Sequence, residues 1–234
     1  MGMPMIAFSY IGSTIKVQVA DRLIDAASFV NPRVYCEDVR TASGAGFYVF
    51  PSHDFDINYD GNQAFVNVWD GEKSEASQLL SSPMNLPGVS ERWDAQFPSL
   101  KSMCYPNIAP LCEKGHFHIW SGLYFTHDPG LKCWIRYPAN FARMPDISFC
   151  ENVVDASERP RPLFINFRFM TSGAAASFKT DRPFIQIIPM ILGKPKRPEE
   201  FFITASALRR TFHKLEDINP TDVHVTSQKK LNHV

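Results

Sequence analysis

The heptapeptide Leu163-Phe164-Ile165-Asn166-Phe167-Arg168-Phe169 constrains the fold most, because its period is two rather than 3.6. Alternation puts Leu163, Ile165, Phe167 and Phe169 on one strand face and Phe164, Asn166 and Arg168 on the other. Strand-like runs continue from Gly115 to Leu192 with almost no helical periodicity, over His116–Phe125, Lys132–Tyr137, Phe149–Val154, Ala176–Lys179 and Phe184–Met190. Asp128-Pro129-Gly130 and Ser172-Gly173 supply turns. The pattern predicts a mainly β protein, an antiparallel β-sandwich or truncated barrel, carrying no complete catalytic signature.

The N-terminal part reads the same way. Met5–Tyr10 and Thr14–Val19 are strand candidates around Ile11-Gly12-Ser13, a short helix follows, and Arg33–Arg40 is strand or helix. Ser43-Gly44-Ala45-Gly46 then breaks the chain before the β-forming run Phe47–Phe50. Asp54–Tyr59 and Ala64–Trp69 flank Asp60-Gly61-Asn62, residues suited to a hairpin turn. Residues 71–114, interrupted by Pro83, Pro87, Pro98, Pro106 and Pro110, form a long excursion that must hold short helical turns or strands and cover a sheet edge or pocket mouth. With 234 residues, 44% of them hydrophobic, one main β domain over 1–192 is expected. Phe201, Ala205, Leu208, Phe212 and Leu215 recur at helical spacing, so 193–218 is read as an amphipathic helix packed on that domain, and 219–234 as a polar tail.

Charge and cysteine content narrow the partners. Lys plus Arg and Asp plus Glu each total 24, so no global field recruits nucleic acid or an anionic membrane. No apolar run reaches the roughly 18 residues of a membrane span, and the N-terminus lacks a secretory pattern, which predicts a cytoplasmic protein. The five cysteines, at irregular spacing and without a C-x-x-C pair, read as reduced and mostly buried thiols.

Two constellations are candidates for function. Trp134 and Arg136 share one strand face ahead of Pro138-Ala139-Asn140, while Arg168 and Gln186 lie on later strands. If these strands are neighbours, the five residues Trp134, Arg136, Asn140, Arg168 and Gln186 converge on a polar ligand, the arginines holding a carboxylate and the amides bonding a peptide backbone. The competing reading is that Arg136 and Arg168 are exposed and pair with carboxylates such as Asp155 and Glu158. The second constellation is His116 and His118 on one strand face with His127 beyond, in an H-x-H pattern comparable to that of cupin metal sites. It would hold a divalent transition metal and serve a tailoring oxygenase, but no acidic ligand follows at a recognisable spacing. No G-x-S-x-G occurs, and Gly44 and Gly46 are only a fragment of a nucleotide loop.

The runs Trp134-Ile135-Arg136-Tyr137-Pro138-Ala139-Asn140, Glu151-Asn152-Val153-Val154-Asp155, Phe164–Phe169 and Phe184-Ile185-Gln186-Ile187-Ile188-Pro189, with the earlier Arg40–Val49 segment, resemble an uncharacterised bacterial all-β family associated with natural-product gene clusters. Phe47 stands where that family more usually has Trp. The order of elements is also similar to the β-clip architecture of the dUTPase group, whose Ser-rich phosphate motif and catalytic segment this chain lacks. A further similarity is to accessory binding proteins of crocagin-type ribosomal-peptide pathways. It implies recognition of a precursor or leader peptide, with modification done by a separate enzyme that is a second candidate partner; no cofactor is expected. A third expectation is a homodimer built through the sheet.

Overall fold

Extended segments dominate because β-branched and aromatic residues fill alternate positions between Gly, Pro and Asp turns. The computed structural model describes residues 6–10, 17–20, 42, 45–70, 73–74, 77–139, 141, 144–191 and 194–195. The predicted helix at 193–218, the polar tail, the segment 33–40 and Cys36 lie outside the described residues.

The described strands form three antiparallel sheets, sandwich-like and, among the described residues, not closed into a barrel. In the first, β1 (Ile6–Tyr10), β9 (His116–His127), β13 (Arg161–Phe169) and β11 (Ile147–Cys150) lie in that order, with β8 (Ile108–Pro110) also on β9. In the second, the order is β12 (Asn152–Val154), β10 (Leu131–Arg136), β15 (Ile185–Ile191), β3 (Phe47–Val49) and β2 (Val17–Val19), with β16 (Lys194–Pro195) on β15. The third joins β14 (Ala174–Phe178), β4 (Asp54–Tyr59), β5 (Ala64–Asp70) and β6 (Lys73–Ser74), with β7 (Gln78–Leu79) on β5.

The alternation in β13 appears as predicted: Leu163, Ile165, Phe167 and Phe169 are buried, and Arg168 is exposed. Their face meets the other sheets through aromatic contacts. Phe167 lies 5.9 Å from Phe178 of the third sheet, Phe169 stacks on Tyr59 at 5.3 Å, and Phe149 stacks at 4.3 Å on Tyr137, which follows β10. The β4–β5 hairpin also forms as read. Its turn is held by Asp60 Oδ1, which accepts the backbone N–H groups of Asn62 and Gln63.

Two expectations needed correction. The extended run Phe149–Val154 is not one strand: β11 ends at Cys150, β12 begins at Asn152, and the chain changes sheet at Glu151. The four described cysteines are free, but among them only Cys133 is buried; Cys104 is half-buried, and Cys112 and Cys150 are exposed at a loop and a sheet margin.

The 71–114 excursion covers the second face of β9, so Phe117 through Phe125 are buried on both sides. Its helix α1 (Val89–Gln96) buries Val89 and Trp93, and the indole N–H of Trp93 donates to the Leu100 carbonyl at 2.7 Å. Buried Asn107 ties this cover down: its Oδ1 accepts Leu86 N–H, and its Nδ2 donates to the Trp120 carbonyl. A register shift between Pro162 and Phe164 leaves the Leu163 carbonyl to a side chain, and Ser121 Oγ donates to it at 2.8 Å.

Candidate functional site

β10 has a buried inner face of Leu131, Cys133 and Ile135, which leaves Lys132, Trp134 and Arg136 on the outer face. Trp134 sits opposite Val153 on β12 and opposite Ile188 on β15. The Arg136 guanidinium lies over the Trp134 ring, 4.8 Å from its centroid. Both side chains converge on one carboxylate: Trp134 Nε1 donates to Glu151 Oε2 at 2.9 Å, and Arg136 Nη2 is 3.6 Å from Glu151 Oε1. Arg136 Nε additionally donates to the Tyr137 carbonyl, which steadies the guanidinium.

The partner of Arg136 is thus Glu151, not the Asp155 or Glu158 considered from sequence. The register explains it. Ile135 pairs with Asn152, so the next position along brings Arg136 beside Glu151 at the corner between β11 and β12. An indole N–H and a guanidinium aimed at the two oxygens of one carboxylate make a carboxylate clamp. A half-exposed ion pair and a cation–π contact are each worth up to about 1 kcal/mol, so an incoming carboxylate can replace Glu151 at small cost. Next to the clamp, Val153 is 58% exposed, and β12 is the outermost described strand of its sheet.

The structure brings together only part of the predicted set. Gln186 lies opposite Arg136 in the sheet, but it is fully buried and its amide is committed to the backbone. Its Oε1 accepts Ala139 N–H at 2.9 Å, and its Nε2 donates to the carbonyls of Ala42 and Ala45 at 3.0 and 2.8 Å. Gln186 therefore fastens the Pro138–Ala139 corner to the glycine-containing loop before β3, with both its amide hydrogens committed and its side chain fully buried. Gly46 in that loop is obligatory: at φ 80°, an added Cβ would stand 1.8 Å from the Ile187 carbonyl oxygen. Arg168 belongs to the first sheet, in a row with Ser148 and His116, apart from the clamp. Asn140 lies outside the described residues.

The three histidines do not converge. His118 and His127 stand nine positions apart on one strand, on the order of 25 Å. Both ring nitrogens of His127 are engaged: Nε2 accepts Ala156 N–H at 2.8 Å, so Nδ1 carries the proton and donates to the Asp128 carbonyl. His116 faces Glu113, and its Nδ1 is 3.2 Å from the Lys114 carbonyl. Among the described residues no group of three His, Cys, Asp or Glu side chains is placed to hold a metal ion. Nor does any described helix have the length and apolarity to cross a membrane.

No known family model, characterised protein or solved structure matches this chain.

Proposed function

We propose that the protein is a cytoplasmic peptide-binding accessory protein that recognises a precursor or leader peptide in bacterial natural-product biosynthesis. The observation that carries the reading is the Trp134–Arg136–Glu151 clamp beside the edge strand β12. An extended peptide adds to such an edge through its backbone N–H and C=O groups, while neighbouring side chains choose its sequence. Val153 and the Trp134 ring offer apolar area for one peptide side chain, and the clamp takes an acidic one in place of Glu151. The natural-product setting rests on the sequence resemblance alone.

Calorimetric titration with the peptides encoded beside the gene tests this reading. Saturable binding is expected, weakened about three- to thirtyfold by Arg136→Ala, since a charge-assisted hydrogen bond to the ligand is worth about 1.5–3 kcal/mol and up to about 1 kcal/mol of it is offset by the Glu151 pair given up. Arg168→Ala, on the other sheet, is the control and should stay within about threefold. Unchanged affinity in Arg136→Ala would reject the site. Light scattering on the free protein separates the competing occupant, a second copy of the chain pairing through the same edge.

A further inference from the structure

Val153 and Glu151 form one outer-face row with the β10 side chains they meet: Val153 is opposite Trp134, and Glu151 takes the Trp134 N–H and stands by Arg136. Val154, the residue after Val153, packs on the core instead, as alternation requires. Val153 is 58% exposed and the Glu151 side chain 43%, so the apolar and acidic places of the row both face water. All strand pairs among the described residues are antiparallel, the more stable pairing per residue.

We infer that the edge selects peptides carrying an apolar residue, any residue and then glutamate, in that order from N- to C-terminus, and that Glu151 is a built-in competitor for the clamp. The inference rests on the peptide-binding reading and adds to it a register and a direction. In an antiparallel pair, stepping back from Val153 to Glu151 is stepping forward two residues on the added strand. The peptide residue facing Val153 lies on the Trp134 side of the sheet and is apolar, and the residue two further on faces Glu151 on that same side. The residue between them points to the opposite face and does not meet the clamp. Glutamate suits the second place better than the shorter aspartate, because its carboxylate has to cross one interstrand spacing of about 4.8 Å. One guanidinium balances one carboxylate, and like charges directly opposite destabilise a pair, so Glu151 turns to water as the peptide glutamate enters. Charge also disfavours a second copy of the chain here. Paired antiparallel about Val153, Glu151 of each copy would stand opposite Asp155 of the other.

The test is NMR titration of the full chain, labelled with 15N in its tryptophan indoles, with Ac-Thr-Thr-Ile-Thr-Glu-Thr-Thr-NH2, whose amidated end leaves the glutamate side chain as its one acid. The Trp134 N–H changes acceptor from Glu151 to the peptide, so its resonance should move saturably. Those of Trp93 and Trp120, which donate to backbone carbonyls, should stay in place. Ac-Thr-Thr-Ile-Thr-Thr-Glu-Thr-NH2, whose glutamate falls on the other face, should bind about three- to thirtyfold more weakly. The reversed order, Ac-Thr-Thr-Glu-Thr-Ile-Thr-Thr-NH2, should bind at least about twofold more weakly, since only a parallel ladder brings its glutamate to Arg136. Glu151→Gln should tighten binding of the first peptide about two- to fivefold by removing the competing charge. Equal affinity for either control peptide, or a Trp134 resonance that no soluble concentration of the first peptide moves, would overturn the register. Unchanged or weaker binding by Glu151→Gln would overturn the competition. In each of these cases, binding of the peptides encoded beside the gene that still depends on Arg136 keeps the peptide-binding reading, and its absence removes both.

Discussion

Replacing Gln186 with leucine keeps the side-chain volume and removes three hydrogen bonds, so its cost reports directly on the clasp between the Ala139 corner and the loop before β3. Ala42 is exposed, and water takes over its carbonyl. Ala139 N–H is buried and the Ala45 carbonyl is half-buried, so both lose a partner that water does not easily replace. At about 1–3 kcal/mol for each stranded group, the loss is about 2–6 kcal/mol, from which the leucine returns about 1–2 kcal/mol of apolar transfer energy. A net destabilisation of about 3 kcal/mol is expected, equivalent to a fall in Tm of roughly 6–12 °C for a chain of this size. Urea unfolding followed by circular dichroism, with the m-value unchanged, measures it. A variant more stable than the parent chain would refute the clasp, since the stranded groups cost at least as much as the leucine returns. A variant of undiminished stability that bound peptide less well would instead return Gln186 to the ligand site.

Gly46→Ala should lower stability by more than about 3 kcal/mol or prevent folding, because left-handed backbone strain adds to the collision with the Ile187 carbonyl. Gly130→Ala, at φ 88° with nothing within 4 Å of the added Cβ, should cost only about 1–2 kcal/mol, and thermal unfolding of the pair separates clash from strain. Stability should also fall on mild acidification through His118. Its folded pKa of about 4 lies below the unfolded value near 6.5, so the unfolded chain binds the extra proton between those limits. About 3 kcal/mol is lost as pH drops from 7 to 4, and a His118→Phe protein that kept the same slope in urea titrations would contradict the assignment.

The period-two residues of β13 and the Asp60-Gly61-Asn62 turn were legible because each is dictated by contacts within a few residues. The corner at Glu151 was not. Cys150-Glu151-Asn152 contains neither Gly nor Pro, and both flanking halves are extended, so the change of sheet leaves no local mark. The same gap hid Glu151 as the carboxylate of the clamp, which emerges only once β12 is set in register with β10. Alternation allowed Gln186 to point away from the most apolar face of its strand, and the register sets it opposite Arg136. It could not reveal that this face is covered around Gln186, where Tyr48, Phe50 and Ala20 form a second buried cluster with Phe141 packed on it. The flanking Ile185, Ile187 and Ile188 were the available clue, since an amide within so apolar a run belongs to a strand buried on both faces. For β9 the difficulty was similar: His118 looked like a candidate ligand because nothing local announces that Tyr105, far along the excursion, closes over it.

Hydrogen–deuterium exchange with and without saturating precursor peptide tests the peptide-binding account most directly. An added strand must hydrogen-bond the edge of β12, the outermost described strand of its sheet, so exchange should slow within 152–154 while the amides around Arg168 on the first sheet keep their rates. Saturating binding that leaves 152–154 unprotected, or failure of every peptide encoded beside the gene to bind, would contradict it.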